Sequence, residues 1–193
     1  MPRLADHLRL PLTRRFQQSI ATIVARGAPI AQKAWDALDN YDESAIDDLI
    51  AATLPPMSAV RSSSIRQAAG YYTVLAGVKP PPIAVAEISA VPNMREPFIS
   101  VWQALASGQP FEAAVSIGRS RLEAVTANLA NTSARQTGDV FVAKAGLTVH
   151  GWQRITDPGA CDWCQMVAEN TYDSADSADF GHDRCGCTAA PNF

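Results

Sequence analysis

The stretch CDWCQMVAENTYDSADSADFGHDRCGC, residues 161–187, contains all four cysteines of the 193-residue chain and one of its three histidines. No cysteine precedes residue 161. The spacing is Cys-x2-Cys, then 17 residues, then His-x2-Cys-x-Cys. Thiols grouped so densely have two physical explanations, which are disulfide bonds and a bound metal ion.

The choice between disulfides and a metal depends on the compartment and on the ligand types. Disulfide-based folds belong to secreted chains, but the N-terminal segment MPRLADHLRLPLTRRF has no apolar stretch of signal-peptide length. We therefore expect a protein made in a cytoplasm. A Cys-x2-Cys pair with a His-x2-Cys pair is the donor set that structural zinc prefers. The sequence thus predicts one structural Zn²⁺ ion.

Five side chains compete for the four positions that zinc usually offers. Cys161 and Cys164 form the first pair, and His182 and Cys185 form the second. Cys187 either replaces a member of the second pair or lies beside the metal as a packed thiol. His182 is alternatively a solvated histidine beside an Asp-Arg pair. The candidate metal ligands are therefore Cys161, Cys164, His182, Cys185 and Cys187, with the choice among the last three left open.

Two functional classes of zinc site do not fit this segment. Zinc deaminases carry His-x-Glu before Pro-Cys-x2-Cys, whereas Trp152 occupies the glutamate position after His150 and Ala160 precedes the first cysteine. Nucleic-acid-binding modules carry Lys and Arg to meet phosphates, whereas residues 157–193 contain seven acidic residues and one basic residue. We therefore expect no catalytic residue, no enzyme activity and no sequence-specific contact with nucleic acid.

The residues upstream of this segment have mainly helical patterning. The composition, 47% hydrophobic and 18% charged, is typical of a globular chain. The sequence contains no run of 18 apolar residues, so it predicts no membrane span. Apolar residues recur at helical spacing in several segments. We expect Gly27 and Pro29 to interrupt or kink the first helix and Pro55-Pro56 to end a helix. The last long helix should end near NTSARQTGD, residues 131–139.

A different pattern follows residue 139. TVHGWQRI, residues 148–155, is rich in β-branched and aromatic residues and predicts a strand. CDWCQMVAEN predicts a short helix, and Pro191 is expected to limit regular structure at the C-terminus. The predicted fold class is α+β, with a mainly α-helical region over residues 1–138 and a small zinc-stabilised α/β module over residues 139–193.

Four aromatic side chains of the helical region have two interpretations. They are either core residues, as aromatic residues at helical spacing usually are, or anchors for a partner protein. We expect the core interpretation to hold. The four are Trp35, Tyr71, Tyr72 and Trp102.

Residues 151–193 resemble the C-terminal zinc-binding signature of phage Mu F-like minor head proteins, in the form found in phages of actinobacteria. In that family a Gly-Trp-Arg-Arg-like strand leads into Cys-x2-Cys. A His-x2-Cys-x-Cys element then precedes a Pro-x-Phe-like tail. Gln153 departs from the pattern. Besides the five candidate ligands, the matching residues are Gly151, Trp152, Arg154, Pro191 and Phe193.

The resemblance implies a minor capsid protein of a tailed phage that acts in head morphogenesis. Such a protein associates with the portal protein or the major capsid protein at the inner capsid surface, and affects genome packaging or ejection. It would be assembled in the host cytoplasm and reside in the virion head. Two alternatives stay open, a zinc-dependent hydrolase or deaminase with an atypical site, and a zinc adaptor that binds nucleic acid.

Overall fold

A computed structural model describes residues 6–175 and 186–193. Over these ranges the chain is mainly helical, with a small antiparallel sheet near its C-terminus. A 3₁₀ turn, Val85–Glu87, follows the proline-rich segment. The helices are α1 (Asp6–Asp36), α2 (Ala45–Ala76), α3 (Glu96–Ala106), α4 (Phe111–Ala145) and α5 (Asp162–Val167); the strands are β1 (Trp152–Ile155), β2 (Thr171–Tyr172) and β3 (Thr188–Pro191).

The three long helices α1, α2 and α4 pack against one another, and α3 packs on α4. The strand order is β2-β1-β3, with β1 antiparallel to both neighbours. This arrangement confirms a mixed, mostly helical chain with a small C-terminal sheet. No helix within the two described ranges combines the length and hydropathy needed to cross a bilayer.

Helix α2 runs through Pro55 and Pro56, so the prediction that these prolines end a helix is wrong. Each proline removes a backbone donor, but the acceptors left over belong to Ala51 and Ala52, which are exposed and can bind water. Leu49, Thr53, Met57 and Val60 are buried at helical spacing on both sides of the pair. Burial of this continuous face therefore outweighs the local cost of the prolines. Helix α1 likewise continues through Pro29.

Helix α4 extends to Ala145, beyond the end expected near Asp139. The polar residues that suggested a helix end are satisfied within the helix, because Ser133 Oγ donates to Leu129 O at 2.6 Å and Thr137 Oγ1 donates to Ser133 O at 2.7 Å. The helix ends at Gly146, which adopts a left-handed conformation with φ of 60°. Residues 138 and 139, where we divided the chain, thus lie within one helix.

Pro191 lies in strand β3, so the expectation that it limits regular structure at the C-terminus is wrong. Its Cα pairs with that of Trp152. The strand order places β3 at an edge of the sheet, where the missing N–H of a proline is tolerated. The strand expected within TVHGWQRI and the short helix expected within CDWCQMVAEN are confirmed as β1 and α5.

The four aromatic residues singled out in the sequence belong to the core or pack against it. Trp35, Tyr71 and Tyr72 are buried, which confirms the core interpretation for these three, and Trp102 is partly buried against the same cluster. The Trp102 indole N–H donates to Tyr41 O at 2.8 Å. The ring of Phe16 stacks on that of Tyr71 with centroids 4.4 Å apart, joining α1 to α2.

Two glycines provide a matched test of this packing. A Cβ on Gly118 would come within 2.6 Å of the side chains of Trp35 and Val101, whereas a Cβ on Gly70 would meet nothing within 4 Å. Both residues lie inside long helices. We expect Gly118→Ala to lower the free energy of unfolding by about 1–3 kcal/mol through overpacking, and Gly70→Ala to raise it by about 0.5–1 kcal/mol. Urea denaturation measures both; equal effects would contradict this packing.

Candidate metal centre

The first pair of predicted ligands lies at the start of α5. Cys161 immediately precedes the helix and Cys164 lies within its first turn. Residues three apart lie on the same face of a helix. Cys164 is buried and Cys161 is exposed. The Cys-x2-Cys pair is therefore placed so that one thiol faces the interior and the other lies nearer to solvent.

Arg154 of β1 lies against this pair and is almost completely buried, with 1% of its surface exposed. One of its guanidinium N–H groups, at Nη2, donates to Cys164 Sγ at 3.3 Å. The guanidinium carbon lies 5.5 Å from the centroid of the Trp163 ring, a distance typical of a cation–π contact. Arg154 thus connects β1 to the cysteine-bearing turn through two interactions.

Cys187 reaches the same region from the other side of the sequence. It immediately precedes β3, whose residue Ala189 pairs with Arg154. Because strand side chains alternate, Cys187 and Ala189 lie on one side of the chain. That side faces the helices: Cys187 is buried and borders a cavity of about 10 Å³ together with Phe16, Tyr72 and others.

His182 and Cys185 lie outside the described residues. Within residues 6–175 and 186–193, no three His, Cys, Asp or Glu side chains come together in a group that could hold a metal. No disulfide joins Cys161, Cys164 and Cys187 to one another. The structure thus places three of the five predicted ligands, two of them at the start of α5, and the selection of four ligands stays a prediction.

Two residues that our sequence analysis gave no role contribute to this region. Arg154 had a place in a sequence motif but no assigned contact. Because side chains alternate along a strand, Arg154 faces the same side as Trp152, and both are buried. The Asp157 carboxylate packs so closely on Gly186 that a Cβ there would overlap it. Gly186 lies between the candidate ligands Cys185 and Cys187 in the sequence, so the Asp157 side chain would have to move if a larger residue replaced it.

The C-terminal strand is attached to the helices by hydrogen bonds. The Arg9 guanidinium of α1 donates to Asn192 Oδ1 at 2.6 Å, to Pro191 O at 2.9 Å and to Ala190 O at 3.2 Å. Gln17 Nε2, also of α1, donates to Ile155 O at 3.0 Å. These contacts fix β1 and β3 on the helical bundle, so the cysteine-bearing turns are held against it.

A separate cavity of about 300 Å³ lies between α1, α4 and the residues that lead into β3. Its walls are mostly apolar, including Ile20, Val24 and Ala127. None of the three described cysteines borders it.

The donor chemistry of the described residues fits zinc. Cysteine sulfur is the preferred donor in structural zinc sites, and both Cys161 and Cys164 supply it at the start of α5. The residues that would hold the ion are Cys161 and Cys164 with two of His182, Cys185 and Cys187.

Comparison with known proteins gives a family. A family model described as VG15 protein matches residues 11–193, which is nearly the whole chain. The chain therefore belongs to the VG15 protein family, a family of phage gene products, and this membership supports a phage protein. No curated protein and no solved structure matches the chain.

The Arg154 contacts generate a stability prediction. Arg154→Ala removes the hydrogen bond to Cys164 and the stacking on Trp163, and it leaves a void in a buried site. We expect it to lower the free energy of unfolding by about 3 kcal/mol, measured by urea denaturation. Arg154→Lys should recover only part of this, because an ammonium cannot reproduce the planar stacking.

The matched control for Arg154 is Arg66 of α2, an exposed arginine whose guanidinium donates to Ser63 one turn earlier. Arg66→Ala should change the free energy of unfolding by less than about 0.5 kcal/mol. If Arg154→Ala were as mild as Arg66→Ala, the structural role assigned to the buried guanidinium would be wrong.

Proposed function

Because the chain is a member of this phage family, we propose that it is a structural minor capsid protein that acts in head morphogenesis and is not an enzyme. Its proposed location is the interior of the phage head, in contact with the portal protein or the major capsid protein. The observation that carries a structural role is the burial of Cys164 and Cys187 against a C-terminal sheet that is itself fixed to the helices.

The proposed metal has a structural rather than a catalytic role. A catalytic zinc keeps one coordination position open to water or substrate. Here Cys164 is covered by Arg154, and Cys187 faces the helical bundle beside Phe16 and Tyr72. Bound zinc would supply a cross-link between the turn at α5 and the segment before β3, which is how small modules with few apolar residues commonly gain stability.

We propose more specifically a Mu F-like minor head protein. Three residues of the resemblance that are not candidate metal ligands support this, because each has a structural role. Gly151 adopts a positive φ of 120° and packs tightly on Thr171, which a side chain would prevent. Trp152 packs edge-on against Tyr72 with ring centroids 6.1 Å apart. Phe193 packs against the core cluster. Gly151 therefore supports the sheet itself, while Trp152 and Phe193 help to attach the module to the helices.

A particle experiment tests the proposed location. Purified virions should contain the chain when examined by mass spectrometry, and external protease should not degrade it until the heads are opened. An amber mutation in the gene should reduce the yield of infectious particles under non-suppressing conditions. A chain found in the lysate but never in purified particles would overturn the proposal.

A metal experiment tests the proposed zinc centre. The purified chain should hold one zinc ion, measured by atomic absorption. Cys164→Ser should abolish retention of the ion, and only one of His182, Cys185 and Cys187 should be replaceable without that loss. His150, an exposed histidine outside the predicted ligand set, provides the control, and His150→Ala should retain full metal content.

Chelation should then act locally. Because the cross-link holds the C-terminal module, removal of the ion should speed amide hydrogen exchange in residues 152–172 and 188–193, while α3 and the adjoining part of α4 stay protected. A metal-free chain with unchanged exchange in the sheet would contradict a structural zinc, even if the particle experiment succeeded.

A further inference from the structure

The exposed face of α1 has an unusual charge distribution. Residues 7–35, nearly the whole helix, contain no aspartate or glutamate. They contain five basic side chains, of which Arg9 is used in binding the C-terminal strand. The other four are exposed, and they are Arg14, Arg15, Arg26 and Lys33.

Three of these cations form a line along the helix. Arg15, Arg26 and Lys33 are separated by 11 and 7 residues, which at about 100° per residue brings them to within about 20° of one another around the helix axis. The line is about 27 Å long at a rise of about 1.5 Å per residue. Thr22, also exposed, lies on it. We call Arg15, Thr22, Arg26 and Lys33 the basic line.

The basic line is not neutralised by acidic side chains of the described part of the chain. The salt bridges found there join other cations to acids, at Arg95, Arg119, Arg121 and Lys144. Asp36, the acid that ends α1, is itself bound by Arg119 at 2.9 Å. The charges of Arg15, Arg26 and Lys33 are therefore available to an outside partner.

We propose that the basic line binds the backbone phosphates of double-stranded DNA without sequence preference. Guanidinium groups match phosphate geometry, and hydroxyl and amide side chains are frequent phosphate contacts. The line is flanked by Gln18 and Ser19 and includes Thr22. Protein–protein interfaces favour aromatic residues, and the aromatic residues of α1, Phe16 and Trp35, are buried.

The length of the basic line suits a duplex. At about 3.4 Å per phosphate along one strand, 27 Å spans roughly eight phosphates. The acidic residues of the C-terminal region, which argue against a zinc module that binds DNA, lie after residue 156 and do not belong to α1. The biological setting, packaged DNA, depends on the proposed location in the head, but the binding itself does not.

The experiment measures binding of the purified full chain to two fluorescent 30-base-pair duplexes of unrelated sequence, by fluorescence polarisation from 50 to 200 mM salt. Both duplexes should bind equally. If three phosphates are neutralised, a plot of log Kobs, the observed association constant, against log salt concentration should have a slope of about −2.7. Affinity should then fall roughly 40-fold between 50 and 200 mM salt.

The test variant carries Arg15→Gln, Arg26→Gln and Lys33→Gln, which keep good helix formers at exposed positions. It should lose most of the salt-dependent binding. The control variant carries Arg66→Gln, Lys79→Gln and Arg95→Gln, which change the net charge equally but leave the basic line intact, and it should bind as the parent chain does. Circular dichroism and thermal unfolding confirm that each variant is folded.

Three results would overturn the proposal. They are no binding at 50 mM salt, equal losses in the test and control variants, and binding that disappears after chelation or in Cys164→Ser. The last would assign DNA binding to the C-terminal module. Since the assay uses purified chain and DNA, its outcome is independent of whether the chain is found in virions.

Discussion

Tyr72 lies where two long helices and two strands meet, and the arrangement of the whole molecule depends on its burial. Its ring contacts Tyr71 of its own helix, Phe141 of α4 and Trp152 of β1. Its hydroxyl donates to Ala189 O of β3 at 3.3 Å. The close approach of α4 is possible because residue 138 is glycine, where a Cβ would come within 2.6 Å of the Tyr72 hydroxyl. One side chain thus couples the bundle to the sheet.

This coupling explains how a sheet with a two-residue strand can hold a fixed position. Small sheets are marginal alone and need a surface on which to pack. Here Arg9 and Tyr72 supply hydrogen bonds to three successive carbonyls of the C-terminal segment, at Ala189, Ala190 and Pro191. The candidate ligand Cys164 lies next to Arg154 of the same sheet, so the helices and the proposed zinc would both stabilise this module.

Charge is distributed unevenly between the region of the proposed metal centre and the helix that carries the basic line. Acidic residues are concentrated after residue 156, where all four cysteines lie, while the exposed side of α1 is basic over about 27 Å. The net charge of only −3 thus combines a basic helix with an acidic C-terminal region.

Local sequence patterns predicted β1 and α5 correctly but did not predict the full length of α2. The strand before the cysteines and the short helix that carries Cys164 were evident, because alternation and helical spacing act within a few residues. The uninterrupted course of α2 through Pro55 and Pro56 was not evident. A proline has a fixed local cost, and only the burial of Leu49, Met57 and Val60 against other helices offsets it.

The sequence by itself determined the chemistry of this protein: a cluster of thiols and a histidine, an acidic C-terminal region and a mainly helical chain. The tertiary structure decided which residues these features meet. That Arg154 lies against Cys164, that Arg9 binds the C-terminal strand 181 to 183 residues away, and that Pro191 is tolerated in an edge strand are consequences of packing between distant segments. Such contacts depend on burial and shape, which neighbouring residues in the sequence do not encode.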